Sequence, residues 1–387
     1  MIFFNKFAAY FYFRLETYIR VTLFVLFLLA FIVQLYYLIS SHNSLASYKV
    51  TDDELAEIKI PVSVIISARN EAKNLNKNLP SILKQNYPDF EVVVVNDCSS
   101  DVSDVVLEVF QETHPNLKIV TITEHERFKT GKKFALTLGI KAAKNEHLIF
   151  TDADCQPASA NWISRMAGHF NGNTQLVLGY SPYYKTNNFL NSLIRFETLK
   201  TAINYLSAAL NGNAYMGIGR NLAYTKTLFF ANKGFAAHMH VLSGDDDLFV
   251  NQNATADNTA IEIHPDAFVF TSAKTTLASL YKQKKRHMGV GKLYKNEHRR
   301  MLSFDAISGF IFYALLIWCL AFYFEPLLAL GLFAFRWIIQ IIIYRKIFKK
   351  LNAMPQLWYL PFLDFVYYIY INVFGFIGTF VKTTQWK

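Results

Sequence analysis

The stretch HLIFTDADCQP, residues 147–157, places Asp152 and Asp154 directly after an apolar run, with one residue between them. The run is typical of a buried strand, and aspartate close to proline is typical of the turn that ends one. Two interpretations are open at this point. The segment is either a plain turn, or a pair of carboxylates that holds a divalent cation at the mouth of a parallel sheet.

Strand-like runs recur on both sides of this stretch. The others, each rich in β-branched residues, are 62–68, 91–97, 117–123 and 176–180. They are near-continuous apolar runs rather than alternating ones, which is typical of parallel strands covered on both faces. Helical segments lie between the early runs, at 75–85, 101–113 and 132–144. This strand–helix–strand repetition predicts an α/β sheet with right-handed crossovers.

Polar and acidic residues follow three of the predicted strands. Glu71 lies just beyond the first, Asp97 ends the second, and Asp152 and Asp154 end the fourth. Because ligands on open α/β sheets bind beyond the carboxyl ends of the strands, this coincidence favours a binding site over a plain turn. No G-x-G-x-x-G follows the first strand, and 130–132 lacks the rest of a P-loop, so these two nucleotide signatures are excluded.

Apolar segments flank the predicted sheet, and 52% of the 387 residues are hydrophobic. Residues 21–40 carry no charge and are long enough to cross about 30 Å of hydrocarbon. We interpret them as a retained anchor, because a signal peptide has a shorter run and a small-residue cleavage site. Three further candidate spans are 306–324, 327–344 and 357–381. Arg336 and Asp364 fall inside the last two, so partly interfacial or re-entrant helices are the alternative there.

Positive charge is concentrated beside these apolar segments. The net charge is +10, and residues 281–300 hold eight Lys and Arg against one Glu. Residues 345–350 repeat the pattern, and such flanks favour the cytoplasmic side and anionic lipid. We therefore predict a cytoplasmic middle domain on a bacterial inner membrane, and no nucleic-acid partner. The basic residues before position 21 would then lie outside, against this bias, unless 1–13 also enters the membrane or lies along it.

Six short motifs occur in a fixed order along the middle of the chain. They are VSVIISARNE (62–71), VVVNDCSSD (93–101), GKKFAL (131–136), TDADC (151–155), GDDD (244–247) and QKKRH (283–287). Each motif alone is weak, but the ordered set with spans behind the last resembles the family 2 glycosyltransferases over about residues 60–300. The membrane-bound type is similar in layout, as in ceramide glucosyltransferase and the hyaluronan and poly-N-acetylglucosamine synthases. The resemblance implies a GT-A nucleotide-diphospho-sugar transferase domain with a mostly parallel sheet.

The resemblance also implies how the donor is held. Glu71, Asp97 and Lys132 correspond to positions that line the nucleotide pocket. Asp152 and Asp154 correspond to the Asp-x-Asp motif, in which one carboxylate binds the metal and the other binds the ribose or a metal-bound water. Oxygen ligands suit Mg²⁺ or Mn²⁺, so a divalent cation of this kind is the implied cofactor.

The remaining two motifs correspond to the family's general base and to residues that contact the diphosphate and the acceptor. Asp246 aligns with the general base of the family, and a register slipped by one residue selects Asp245 instead. Gln283, Arg286 and His287 follow at i, i+3 and i+4, on one helix face. In the family Gln-x-x-Arg-Trp pattern this face contacts the diphosphate and the acceptor, and His287 stands here where tryptophan is usual.

We therefore interpret the chain as a membrane-bound, inverting, metal-dependent glycosyltransferase. It would move a sugar from a nucleotide-diphosphate donor to a hydroxyl of a lipid or lipid-linked acceptor. The expected domains are an anchor at 1–45, a GT-A domain with a basic juxtamembrane helix at 50–300, and a membrane region with two or three spans at 303–387. A processive polysaccharide synthase and a catalytically silent, sugar-nucleotide-binding scaffold are the alternatives.

Overall fold

The computed structural model describes residues 2–51, 59–123, 131–241 and 243–380, without the side chains of 2–13, 285–288 and 378–380. Its strands are β1 Val62–Ala68, β2 Phe90–Asp97, β3 Leu117–Ile122, β4 His147–Asp152, β5 Gln156–Pro157, β6 Leu176–Gly179, β7 Leu222–Thr225, β8 Thr259–Glu262 and β9 Val269–Phe270. Its α-helices are α1 Ile2–Tyr36, α2 Asn43–Ser47, α3 Ala72–Leu83, α4 Ser103–Thr113, α5 Lys132–Ala142, α6 Trp162–Ala167, α7 Phe189–Leu210, α8 Lys226–Ala231, α9 Asp247–Asn253, α10 Leu277–Met288, α11 Asn296–Ala321, α12 Pro326–Lys350 and α13 Leu360–Phe380.

Seven strands form one mixed sheet in the order β3-β2-β1-β4-β7-β6-β8. Strands β1 to β4 are parallel, β7 runs antiparallel to both β4 and β6, and β8 is parallel to β6. A two-stranded pair of β5 and β9 lies apart from it. The predicted α/β class with a mostly parallel sheet is confirmed. The sequence reading missed β7 and β8, which are four-residue strands with no long apolar run.

Both faces of the parallel half of the sheet are covered, which explains the continuous apolar strands. Ile65 and Val93 point to one face, where they join the cluster that holds residues of α5. Val64 and Val94 point to the other face, among residues of α3 and α4. Since successive side chains of a strand alternate between faces, a sheet buried on both sides needs apolar residues at every position. Helix α5 approaches so closely that a Cβ at Gly139 would stand 2.9 Å from the side chain of Ile65.

In the part of the chain that the structure describes, four helical segments are long and apolar enough to cross a membrane. They are Arg14–Ser47, Asn296–Ala321, Pro326–Lys350 and Met354–Ile377. Each contains or overlaps one of the predicted spans, and each extends beyond it. Residues 2–13 continue the first helix without a break, so this segment is an extension of the anchor rather than a separate element. A π-helical turn at Tyr37–His42 links the anchor to α2.

Arg336 and Asp364, the two charges that interrupt the predicted spans, face protein. Arg336 Nη2 lies 2.9 Å from Asp364 Oδ2, and the two side chains are 1% and 0% exposed. The hydroxyl of Tyr313 donates to the same carboxylate, and Gln34 Oε1 accepts from Arg336 at 2.8 Å. Lys200 of α7 lies 3.5 Å from Asp364 Oδ1, and this contact joins the domain that contains the sheet to the helix bundle. Because Arg336 and Asp364 pair with each other inside the helix bundle, their charges no longer favour partly interfacial or re-entrant helices over spans.

Candidate active site

The carboxyl ends of the parallel strands deliver the predicted side chains to one edge of the sheet. Asp152 is level with Ser67 of β1, and Asp97 lies one residue beyond the pair formed by Ala68 and Asn96. Asp97 and Asp152 are separated by two strand spacings of about 4.8 Å and by two residues of about 3.3 Å along the strands, so they lie about 12 Å from each other.

Asp97 ends β2 as a buried carboxylate, 1% exposed. Among the described residues its Oδ1 atom has no hydrogen-bond partner. Burial raises the pKa of Asp97, and Arg69 acts in the opposite direction. A buried acceptor without a protein partner is rare in folded proteins, so Asp97 is a candidate to accept a hydrogen bond from a ligand.

The loops after β1 and β2 brace each other around Glu71. Asn70 has φ 56°, in the left-handed region that asparagine tolerates, and its Oδ1 accepts from the backbone N–H of Ser100 at 2.7 Å. The backbone N–H of Glu71 donates to Ser103 Oγ at 3.1 Å, and Asn74 donates to its carboxylate. Glu71 is therefore held in place by backbone and side-chain contacts at the edge where Asp97 lies.

Lys132, the first residue of α5, joins two motifs that are far apart in sequence. Its Nζ atom lies 2.9 Å from Asp152 Oδ1 and 3.0 Å from Asp245 Oδ2. The two carboxylates are therefore at most about 6 Å apart. Burial alone lowers the pKa of Lys132, but these carboxylates outweigh it and hold the pKa well above its ordinary value. The strand-end aspartates and the acidic run thus belong to one site.

The Asp-x-Asp segment forms a tight turn that aims both carboxylates the same way. The backbone N–H of Cys155 donates to Asp152 O at 3.0 Å, and Asn78 donates to Ala153 O at 3.0 Å. One ligand atom from each of Asp152, Asp154 and Cys155 lies within 4.8 Å of the others. Burial, and then Asp152, raise the pKa of the Cys155 thiol well above its ordinary value, so it stays protonated. Two carboxylate donors fit Mg²⁺ or Mn²⁺ better than a thiolate-binding metal.

Each aspartate of the acidic run has a different partner. Asp245 pairs with Lys132, which outweighs burial and lowers its pKa. Asp246 caps α9: its Oδ1 accepts from the N–H of Asp247 at 2.8 Å, and its Oδ2 accepts from the N–H of Gly219 at 2.7 Å. Burial and the charge of Asp245 raise the pKa of Asp246.

The third aspartate of the run is bonded to the segment that follows α10. Tyr294 donates its hydroxyl to Asp247 Oδ2 at 2.8 Å. Burial and the charge of Asp246 raise the pKa of Asp247 to about 8, and the bond from Tyr294 opposes the rise. Asp247 is therefore protonated over much of the neutral range, and its hydrogen bond with Tyr294 links the acidic run to the segment before α11.

The basic helix lies beside the membrane bundle. Gln283 is half-buried on α10, while the side chains of Arg286 and His287 lie outside the described residues. The ring of Tyr281 packs 5.8 Å from that of Phe374 in α13. Beyond α10 the chain returns to the acidic run, where Tyr294 binds Asp247. The shared face of the three motif residues stays a prediction.

Arg220 is a candidate that the sequence reading left without a role. It stacks on the ring of Tyr183 with its guanidinium carbon 4.7 Å from the ring centre. Burial acts to lower the pKa of Arg220, but Tyr183, Cys155, Asp152 and Asp154 outweigh it, so the pKa lies above its ordinary value. A half-buried cation beside the Asp-x-Asp turn suits a diphosphate. The only local signal in the sequence is an arginine within the glycine-containing segment YMGIGRNLAY, residues 215–224.

Comparison with known sequence families agrees with this geometry. Residues 63–233 match Glycosyl transferase family 2, and residues 149–377 match Glycosyl transferase family group 2. The chain is a family 2 glycosyltransferase. The resemblance carried by the six motifs is therefore confirmed.

This family 2 glycosyltransferase is similar to curated relatives over part of its length. It is 34% identical over 113 residues to Glycosyltransferase AglE of Haloferax volcanii, covering 29% of this chain and 36% of that protein. It is 32% identical over 93 residues to a poly-beta-1,6-N-acetyl-D-glucosamine synthase of Staphylococcus epidermidis, covering 24% and 21%. The matches thus span about a third or less of those relatives.

A solved structure supports the fold over nearly the whole chain. The mannosyltransferase PcManGT of Pyrobaculum calidifontis, solved with GDP-Man and Mn²⁺, superposes with a TM-score of 0.57. The match covers 92% of this chain and 98% of that one at 19% identity. At this identity the likeness concerns the fold, and it confirms the GT-A domain joined to apolar helices.

Proposed function

We propose that the protein is a membrane-bound, metal-dependent, inverting glycosyltransferase with a lipid or lipid-linked acceptor. The observation that carries the proposal is the position of Lys132 between Asp152 and Asp245. This contact puts the donor-binding turn and the acidic run in one cleft, so a donor sugar held by the first lies within reach of a base in the second.

The donor would lie along the carboxyl edge of the sheet. Asp97 and Glu71 would hold the nucleotide, and Asp152 and Asp154 would hold Mg²⁺ or Mn²⁺ together with diphosphate oxygens. When bound, the metal supplies Lewis-acid stabilisation of the departing nucleotide diphosphate. Lys132 stands at the same end of the cleft and adds positive charge.

Asp246 is the better candidate for the general base. Asp245 is neutralised by Lys132, which lowers its proton affinity, whereas the pKa of Asp246 is raised. The hydrogen bonds to Asp246 come from two backbone N–H groups, which fix the orientation of the carboxylate. Asp246 would take the proton of the acceptor hydroxyl as that oxygen attacks the anomeric carbon. A single displacement of this kind inverts the anomeric configuration.

The acceptor is proposed to come from the membrane. Tyr294 binds the acidic run only two residues before α11, which begins a candidate span. The cleft therefore opens close to the bilayer, with Gln283, Arg286 and His287 on the preceding helix as candidate contacts to diphosphate and acceptor. We propose that the domains divide at 1–45, 50–300 and 303–387 and that the catalytic domain is cytoplasmic.

The test uses the full chain in lipid nanodiscs with radiolabelled nucleotide sugars, including GDP-mannose and UDP-N-acetylglucosamine. Nucleotide diphosphate release is measured with Mn²⁺, with Mg²⁺ and with EDTA, and organic extracts are examined by mass spectrometry. We expect metal-dependent release and a lipid-soluble product with one sugar and an inverted linkage by NMR. A ladder of product lengths would favour the processive synthase. Tight donor binding without turnover of any donor would favour the scaffold.

A further inference from the structure

A groove of about 610 Å³ lies between α1 and α11, away from the site described above. Its walls are apolar along most of its length and include Leu26 and Leu29 of α1 and Ile307 of α11. One end is lined by Arg299 and Arg300, in the first turns of α11. The groove is therefore amphipathic, with a cationic end and an apolar remainder.

The dimensions of the groove match a lipid that lies along the helices. At a rise of about 1.5 Å per residue, Ile307 stands about 10 Å along α11 from Arg300. Both arginines are exposed, and neither has a carboxylate within 4.0 Å in the part of the chain that the structure describes. A guanidinium fork without an internal partner is suited to bind a phosphate group through two hydrogen bonds.

We propose that this groove binds one anionic phospholipid of the surrounding membrane. Its phosphate would lie on Arg299 and Arg300, and an acyl chain would lie against Leu29 and Ile307. The walls belong to two candidate spans, so the ligand enters from the bilayer rather than from water. This lipid is distinct from the sugar acceptor, and the site goes beyond the proposed transfer reaction.

The groove is connected to the helix that carries the acidic run. His298, next to Arg299, accepts from Asn251 Nδ2 through Nδ1 at 2.9 Å and donates to Asn213 Oδ1 through Nε2 at 2.9 Å. The backbone N–H of Lys295 donates to Asn251 Oδ1 at 2.9 Å. Asn251 is one turn beyond Asp247 on α9. A lipid that orders the first turn of α11 would therefore support the position of α9, which makes it an activator of the proposed reaction.

The primary test is lipid retention, measured by native mass spectrometry of the full chain released from nanodiscs of phosphatidylglycerol or phosphatidylcholine. Wild type should retain one phosphatidylglycerol per chain and little phosphatidylcholine. The double variant Arg299→Gln, Arg300→Gln should retain about tenfold less, because two charge-assisted contacts are lost. The variant Ser303→Trp, which fills the charged end of the groove without removing charge, should do the same. The matched control Arg345→Gln, Lys346→Gln removes two exposed charges at the end of α12 and should retain lipid as wild type does.

Three results would overturn the proposal. The first is equal retention of the two lipids by wild type, and the second is unchanged retention in both groove variants. The third is a lipid-free wild-type dimer that Ser303→Trp converts to monomer, which would assign the groove to a second copy of the chain. Since retention needs no turnover, failure of the proposed reaction leaves this test intact.

The activating role rests on the proposed function and has its own measurement. Sugar transfer should be several times faster in phosphatidylglycerol than in phosphatidylcholine for wild type. The arginine double variant should transfer at the slower rate in both lipids, while the control at 345 and 346 keeps the difference. A double variant that still responds to phosphatidylglycerol would overturn the coupling.

Discussion

Asp364 is the residue on which the charge balance of the membrane bundle depends. It accepts from Tyr313 and faces two cations, Arg336 at 2.9 Å and Lys200 at 3.5 Å, and all three charged side chains are 0% or 1% exposed. Substitution Asp364→Asn leaves both cations without this counter-charge. Substitution Arg336→Met leaves Asp364 still paired with Lys200. The aspartate variant should therefore be the less stable of the two.

The magnitudes follow from the cost of breaking a buried ion pair, about 3–5 kcal/mol when one partner is removed. We expect Asp364→Asn to lower the free energy of unfolding by about 5 kcal/mol and Arg336→Met to lower it by about 3 kcal/mol. At about 2 °C per kcal/mol for a chain of this size, the Tm should fall by roughly 10 °C and 6 °C. The measurement is thermal unfolding in nanodiscs by intrinsic fluorescence, with the exposed Asp257→Asn as a control that should change Tm by less than about 1 °C.

A triple variant separates charge from packing. The triple variant Lys200→Met, Arg336→Met, Asp364→Leu removes all three of these charges. Replacing a buried ion pair by well-packed apolar residues often leaves stability unchanged. The triple variant should therefore be more stable than Asp364→Asn alone. Additive losses in the triple variant, or a Tm for Asp364→Asn within about 2 °C of wild type, would refute the reasoning, because neither fits a buried cluster in which Asp364 offsets two cations.

Three further predictions concern the active site. Lys132→Met removes the cation that lowers the pKa of both Asp245 and Asp246, so the acidic limb of the pH–rate profile, which reports Asp246 as the base, should move to higher pH; an unmoved limb would contradict this assignment. The folded-state pKa of Asp247, about 8, exceeds its unfolded value, so its contribution to stability is present below about pH 4 and is lost as pH rises towards 8. Asp247→Asn should therefore flatten the fall of Tm between those values, and an unchanged slope would count against the assignment. Asp154→Asn should lower Mn²⁺ affinity, measured by electron paramagnetic resonance titration, by about 10- to 100-fold, whereas Cys155→Ser should leave it unchanged; the reverse order would reject the carboxylate site.

The parallel half of the fold could be predicted because its signals are local. Strands β1, β2 and β4 are near-continuous apolar runs, and polar or acidic residues at or just beyond their ends mark the edge of the sheet. Strands β7 and β8 could not be predicted, because a run of only four residues carries almost no periodic signal. Their place in the sheet is decided by pairing with β4 and β6, which is a property of the folded chain.

The sequence predicted that the site residues lie close together, because they follow the ends of parallel strands. It did not predict which charged side chains contact one another. The sequence predicted a metal pair at Asp152 and Asp154 and a base in the acidic run. The contacts that distinguish Asp245, Asp246 and Asp247 come from Lys132, Gly219 and Tyr294, which are remote in sequence. Likewise, the sequence shows Arg336 and Asp364 only as single charges within two candidate spans, and the structure shows that they form an ion pair. Long-range pairing of polar side chains leaves no local pattern to read.

The most direct test of the account compares donor binding with sugar transfer in the variant Asp246→Asn. Binding of the identified nucleotide sugar with Mn²⁺ is measured by calorimetry, and transfer is measured under the same conditions. We expect binding within about threefold of wild type and transfer slowed by at least about 100-fold, because the variant keeps the shape of the cleft and loses the base. Transfer within about threefold of wild type would contradict the assignment of Asp246 as the base, and with it the proposed single displacement.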